Sequence, residues 1–302
     1  MELSVKNLTK YYGKQIAVNN VSFTLETGKV TGFIGPNGSG KSTTLKMITG
    51  ILSPDSGEIL FGNKPVSTTP EFKQKIGYLP EHNPVYLDMY IREYLEYVGK
   101  IYKVDNLKNR IEECISLVGL GKEAHKEISK LSKGYRQRVG IAQSLIHNPD
   151  ILILDEPTTG LDPNQILEIR ELISSISSSK TIVLTTHILQ EVEAICDNIV
   201  LINNGRIIAD DTTENVKNIQ GTEQQIIVVE TKAKVKEALL ANIEGIASVR
   251  KTGNNIYELT GTSENDLRES IFNCAKENNF SILSLQKKSI SLEDTFKQLS
   301  KS

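Results

Sequence analysis

The chain has 302 residues, 38% of them hydrophobic and 24% charged, with a formal net charge of −2. That apolar content excludes a disordered chain and suffices for two unequal cores, and the near-neutral balance removes the basic signature of a nucleic-acid-binding protein. Three widely spaced cysteines, Cys114, Cys196 and Cys274, form no CxxC pair, which excludes a disulfide framework and predicts reduced thiols.

The N-terminal residues MELSVKNLTKYYG lack an apolar segment of the signal-peptide kind and read as the start of a strand, so a cytosolic protein is expected. No apolar run approaches the roughly 18–20 residues of a membrane-spanning helix. Any membrane contact is therefore expected only through partners.

From residue 1 to about 215, short β-branched runs alternate with helical patterns, which predicts a mostly parallel, doubly wound sheet. Residues 30–34 lead into a glycine loop, 151–154 into Asp155 and Glu156, and 181–185 into His187. Each polar group thus falls at the carboxyl end of a buried strand, where open α/β sheets bind ligands. Residues 90–102, 107–118 and 135–146 carry apolar residues at helical spacing and form a helical insert. The serine run 174–179 reads as a polar loop.

Beyond residues 210–218 the composition changes. Strands are predicted at 226–230, 247–251, 256–260 and 282–286, and helices at 234–241, 264–278 and 292–299. Gly253-Asn254-Asn255 marks a hairpin turn. The resulting β-α-β-β-α-β order is ferredoxin-like.

The glycine loop, Gly35-Pro36-Asn37-Gly38-Ser39-Gly40-Lys41-Ser42-Thr43, has the GxxxxGK[ST] spacing between a strand and a helix. Glycines let backbone N–H groups turn inward around a triphosphate, the helix start directs its positive end at it, and Lys41 adds a point charge. Ser42 is expected to hold Mg²⁺ through its hydroxyl, with Asp155 as a second ligand. Glu156 is placed to polarise an attacking water, and His187 to contact the γ-phosphate.

With LSKGYRQR at 131–138 ahead of ILILDEP, these motifs make the chain resemble the ATP-binding subunit of an ABC transporter. The resemblance implies a P-loop NTPase of ABC type over 1–218, with a helical subdomain at about 82–148 and an α+β accessory domain over 219–302. It implies that Tyr12 stacks on adenine, with Tyr11 the neighbouring alternative, and that Glu81 occupies the Q-loop position and contacts the metal. Residues 159–162 would form the D-loop, ending in Asp162. Two subunits, expected to be identical, would dimerise head to tail, so that Ser132 and Gly134 of one act on the ATP of the other.

Lys133 and Tyr135 depart from the usual LSGGQ signature, and Glu81 replaces the usual glutamine. Lys133 either strengthens the closed dimer or is simply solvated. A carboxylate at 81 can bind a metal but cannot donate a hydrogen bond. The stripe Tyr86, Tyr90, Tyr94, Tyr97 reads as core packing or as a groove for a partner's helix. His82, His125 and His147 lack metal-ligand company. The strings GYLPEHNP, LSKGYRQRVGIAQ and LDEPTTGLDPNQ, with QEVEAICD after His187 and SLEDTF near the C-terminus, look most similar to gliding-motility-associated subunits, within the class paired with ABC-2-type permeases. The expectation is an ATPase on the cytoplasmic face of the membrane, driving transmembrane permease subunits. A soluble ABC ATPase acting as a nucleotide switch is the alternative.

Overall fold

The structure, a computed structural model, describes residues 2–62, 64–66, 70–218, 224–262, 266–288 and 292–299. It divides into two compact units, Met1–Thr213 and Glu214–Ser302. The expected boundary at 218/219 abuts residues 219–223, and the expected start of a helix at 264 also lies outside the described residues.

The first unit opens with β1 (Leu3–Tyr12), β2 (Gln15–Leu25) and β3 (Val30–Ile34), followed by α1 (Lys41–Ile48). Then come β4 (Ser56–Phe61), β5 (Lys64–Pro65), α2 (Pro70–Lys73) and β6 (Ile76–Leu79). The helices α3 (Ile91–Ile101), α4 (Leu107–Leu117) and α5 (Lys133–Leu145) precede β7 (Ile151–Asp155) and α6 (Pro163–Ser177). The unit closes with β8 (Thr181–Thr185), α7 (Leu189–Ile195), β9 (Asn198–Asn203) and β10 (Arg206–Thr212).

Two sheets result. The larger has the order β10-β9-β3-β8-β7-β6, parallel except for its edge strand β10. Its strands β3, β7 and β8 are buried throughout, as expected of strands covered on both faces. The register sets Asp155 beside Thr185 and Leu79 beside Leu154. The loops after β3, β6, β7 and β8 therefore emerge along one edge, which positions the site.

The smaller sheet, β2-β1-β4-β5, is antiparallel and was not foreseen from the alternation of strands and helices. Its Leu3, Val5, Leu8, Val18, Phe23 and Leu25 share one core with Phe33 of β3 and with Leu45, Met47 and Ile48 of α1. The glycine loop is thus held between two sheets.

Ser174–Ser177 do not form the expected loop; α6 runs through Ser177. The Ser175 and Ser177 hydroxyls donate to the carbonyls of Leu172 and Ser174. Bonding back to their own helix lets these polar residues remain helical. Of the tyrosine stripe only Tyr94 is buried, while Tyr86, Tyr90 and Tyr97 are exposed. Tyr86 meets Tyr94 and Tyr97 edge to face, at 5.9 and 5.8 Å between ring centres. Burial, then the Tyr86 and Tyr97 neighbours, push the Tyr94 phenol up to about 12.

After α8 (Thr213–Asn218), which begins at the last residue of the first unit, the second unit holds β11 (Gln224–Thr231), α9 (Glu237–Ala241), β12 (Ile246–Gly253) and β13 (Ile256–Thr262). It ends with α10 (Leu267–Glu277), β14 (Ile282–Lys288) and α11 (Leu292–Leu299). Its sheet, β12-β13-β11-β14, is antiparallel throughout. Ile227, Val229, Tyr257 and Leu259 pack with Leu267 and Ile271 of α10. The buried Tyr257 hydroxyl donates to the Val235 carbonyl at 2.8 Å and accepts from the Val235 N–H at 3.0 Å. No helix among the described residues is long and apolar enough to cross a membrane.

Candidate functional site

The glycine loop is built so that only glycine fits where the chain doubles back. A Cβ at Gly35 would lie 2.1 Å from the Ile202 carbonyl, and one at Gly40 would lie 2.6 Å from the Ala17 carbonyl. Gly40, at φ 110°, is the N-cap of α1, and no side chain caps that helix. The first amides of α1 are left for a ligand, and an anion at such a terminus is stabilised by them and by the helix dipole. Ser39 carries a buried hydroxyl oxygen without a hydrogen-bond partner among the described residues. That orphaned group is what a phosphate cradle requires.

Lys41 turns its Nζ back onto the carbonyls of Gly35 and Pro36, at 2.8 and 3.2 Å. Burial pushes the Lys41 ammonium below its ordinary pKa, against the opposing pull of Glu156, Asp155 and Glu81. One lysine therefore feels all three acids.

Asp155 ends β7 and is buried. It accepts a 2.6 Å hydrogen bond from the Thr185 hydroxyl on the neighbouring strand. Burial first, then the nearby charge of Asp155, raises the pKa of the Tyr78 phenol. Glu156 follows in the left-handed region at φ 53°. A non-glycine residue held there costs on the order of 1 kcal/mol. Its N–H is fixed by Thr185, 3.2 Å from the carbonyl and 3.0 Å from the hydroxyl.

The Glu156 Oε2 lies 2.8 Å from His187 Nδ1 and accepts a 2.7 Å bond from the Thr159 hydroxyl. A carboxylate facing Nδ1 keeps a proton on that nitrogen and leaves Nε2 free for a ligand. Glu156 and Glu81 also line one cavity of about 430 Å³, together with Lys133, Arg136, Gln137 and Thr159.

No group of three His, Cys, Asp or Glu among the described residues makes a ready metal cage. Mg²⁺ bound with ATP does not need such a cage, because carboxylate and hydroxyl oxygens complete its shell together with phosphate oxygens. Asp155, Ser42 at the start of α1, and Glu81 are the donors of that kind.

Ser132 caps α5, its hydroxyl accepting from the Tyr135 N–H at 3.4 Å. Gly134 packs on Gln165, whose Oε1 would lie 2.5 Å from a Cβ there. Lys133 lies against Gly160, its Nζ 2.1 Å from where a Cβ of that residue would be. The start of α5 therefore rests on residues 160–165 of its own chain. The described contacts do not bring it to the glycine loop. Asp162 caps α6, its Oδ1 accepting from the Gln165 N–H at 3.0 Å.

Tyr12 pairs with Gln15 across the β1–β2 turn, and Tyr11 with Ile16. Both rings are exposed. The same β2 strand contributes the Ala17 carbonyl that crowds Gly40, so the hairpin borders the loop. Among the other histidines, His147 stacks on Tyr102 at 3.9 Å between ring centres. Thr159, within the expected D-loop, donates to Glu156, and Thr185 donates to Asp155. Sequence alone does not single out Thr185; only the register that sets it beside Asp155 reveals its part.

A parallel sheet whose strand ends deliver an uncapped glycine loop, a buried aspartate and a Glu–His pair defines a P-loop nucleoside triphosphatase. Comparison with known proteins makes the family specific. The ABC transporter family model matches residues 18–159. The linearmycin resistance ATP-binding protein LnrL of Bacillus subtilis is 34% identical over 305 residues, covering 98% of this chain and 97% of that protein. The bacitracin transport ATP-binding protein of Bacillus licheniformis is 38% identical over 218 residues, 71% of each chain. Among solved structures, an ATP-binding subunit of an ABC transporter matches 73% of this chain and 94% of its own, with 30% identity and a TM-score of 0.66. A dimeric post-hydrolysis ATP-binding cassette bound to ADP and Pi matches 70% and 98%, with 27% identity and a TM-score of 0.63. The chain belongs to the ABC transporter ATP-binding proteins. It is an ATPase, with ATP and Mg²⁺ as its nucleotide and metal.

Proposed function

We propose that this chain is the ATP-hydrolysing subunit of an exporter, working as a head-to-tail pair on the cytoplasmic face of a membrane and driving a separate permease. The observation that carries the export reading is the end-to-end likeness to a linearmycin resistance protein, which extends through the second unit. The narrower expectation of a gliding-motility system rests on the motif strings alone. The relatives described above bear the names of resistance and transport, so export is preferred.

In this reading the amides of residues 38–43 and the Lys41 ammonium bind the phosphates, and Tyr12 stacks on adenine. Ser42, Asp155 and Glu81 would hold Mg²⁺, which would neutralise charge on the phosphate oxygens. Glu156 accepts the proton of the attacking water as its oxygen bonds to the γ-phosphorus and ADP departs. His187, oriented through Nδ1 by Glu156, presents Nε2 to the γ-phosphate. Ser132, Gly134 and Asp162 of the second copy close the site, so ATP favours the paired state and hydrolysis releases it. The second unit serves regulation or dimerisation.

Affinity purification of the full-length chain from detergent-solubilised membranes tests the reading. Recovery of a polytopic membrane protein, with vanadate-sensitive ATPase activity lost in Glu156→Gln, is expected. Recovery only in the membrane-free fraction, bound to ribosomes or DNA, would favour the soluble nucleotide switch.

A further inference from the structure

A buried acid lies behind the catalytic edge, in the string that follows His187, with no role assigned to it by the motifs above. Glu191, in α7, is only 2% exposed. Its Oε2 accepts a 2.6 Å hydrogen bond from the Thr158 hydroxyl and a 3.0 Å one from the Thr186 hydroxyl. Both threonines are fully buried. Its Oε1 has no partner among the described residues.

The two threonines are what give this geometry meaning. Thr158 lies two residues after Glu156, and Thr186 immediately precedes His187. On the opposite side the same two loops are joined by the 2.8 Å contact between Glu156 and His187. The chain thus closes a ring: Glu156 to His187, back along the chain to Thr186, through Glu191 to Thr158, and back to Glu156. Thr186 is further fixed by accepting from the Ile188 N–H at 3.0 Å. Glu191 joins the two threonines on the buried side of this ring.

Stability does not account for that choice of residue. A buried carboxylate with one unpartnered oxygen is costly, and an apolar side chain of similar size is often as stable or more so. A position in the first turn of α7 favours an acid, but only modestly. The gain lies elsewhere. Glu156 sits in a strained backbone conformation, which persists only where its surroundings over-determine it.

We infer that Glu191 is a positioning residue for hydrolysis, tying the loop after Glu156 to the loop before His187 so that the two side chains meet the γ-phosphate in register. The inference rests on the reading of Glu156 and His187 as the catalytic pair. ATP binding, carried by the glycine loop, does not depend on it.

The test uses the full-length chain with Glu191→Gln, Glu191→Met, Thr158→Val and Glu156→Gln, measuring kcat, KM for ATP and the thermal midpoint. Glu191→Met is expected to lower kcat by ~10- to 100-fold, the scale of a small misplacement of catalytic groups, with its melting temperature maintained or raised. Its KM stays within about threefold of the parent. Glu191→Gln, whose amide oxygen still accepts both hydroxyls, keeps kcat within about threefold. Thr158→Val cuts one arm of the ring and lowers kcat at unchanged KM; because it swaps near-isosteric side chains, it decides the question even if Glu191→Met does not fold. Unchanged kcat in Thr158→Val, or equal losses in the Gln and Met variants at position 191, overturns the inference while the loss in Glu156→Gln leaves the catalytic reading intact. If Glu156→Gln itself still hydrolyses ATP, the catalytic reading falls and the positioning role with it.

Discussion

The starts of α1 and α5 both place serine and glycine at a helix N-terminus, in the loop before α1 and, at α5, as the cap Ser132 and the second helical residue Gly134, yet they are finished differently. At α1 the cap is a glycine at φ 110° with no side-chain hydrogen bond, and the loop carries an unpartnered buried hydroxyl at Ser39. At α5 the Ser132 hydroxyl already accepts from the Tyr135 N–H, and the helix start rests on Gly160 and Gln165. The first terminus is prepared for an anion in the single chain. The second is capped internally by an accepting Ser132 hydroxyl, whose own proton is left to donate to a partner's phosphate in the proposed dimer.

The glycines of the two termini offer the largest effect. Gly35→Ala forces its Cβ against the Ile202 backbone carbonyl, which cannot swing away. Overpacking of that kind costs about 1–3 kcal/mol. ATP affinity of the full-length chain is expected to fall ~10- to 100-fold by fluorescent-nucleotide titration. Gly134→Ala meets only the end of the Gln165 side chain, which can rotate, so ATP binding by the same assay is expected to be unchanged. Equal losses in the two variants would erase the distinction.

Ser132→Ala comes next. Loss of the cap costs about 1 kcal/mol of stability, a few degrees in the thermal midpoint. Because the hydroxyl is engaged within its own chain, ATP binding to a single chain is expected to stay intact while ATP-dependent dimerisation weakens by ~10-fold, the loss of one hydrogen bond to a charged group. Sedimentation of Glu156→Gln protein with and without Ser132→Ala measures it. A parallel loss of ATP binding would show that α5 shapes the nucleotide site in cis.

Much of this was legible in the sequence, for a physical reason. Strands buried on both faces read as largely apolar runs, so 30–34, 151–154 and 181–185 stand out and point to the candidate site residues that follow them. The small antiparallel sheet escaped because β1 and β2 alternate buried and exposed residues irregularly, with register shifts at Leu8 and Lys10. The serine run at 174–177 misled because composition does not show hydroxyls bonding back along a helix. The second layer of the site was illegible. Thr158, Thr185, Thr186 and Tyr78 are common residues whose roles exist only once parallel register sets strand ends side by side.

Glu81 connects the two termini: its charge is felt by Lys41 on one side, and it lines the cavity with Lys133 and Arg136 on the other. Glu81→Gln removes a potential metal-binding charge while keeping the shape. The Mg²⁺ concentration for half-maximal ATPase activity is expected to rise several-fold, on the order of 1 kcal/mol, with ATP binding retained. Coincident Mg²⁺ titrations would exclude a metal role for this carboxylate.

The smallest effect concerns Lys133, the first residue of α5. A cation in the first turn opposes the helix dipole by about 0.3–1 kcal/mol, so the residue is unfavourable where it stands. The described residues give it a contact with Gly160 and a place in the cavity beside Glu81 and Glu156, without an ion pair to offset that cost. In the paired state the same ammonium would face a triphosphate. Lys133→Gln should therefore raise the thermal midpoint by one or two degrees while weakening ATP-dependent dimerisation by ~2- to 3-fold, with a shallower dependence on salt. Exposed charges are screened over about 8–10 Å at moderate ionic strength, so the difference between parent and variant should vanish in high salt. A difference that persists there would assign the effect to the Gly160 contact within one chain, and the second terminus would then be shaped by its own D-loop more than by the partner's nucleotide.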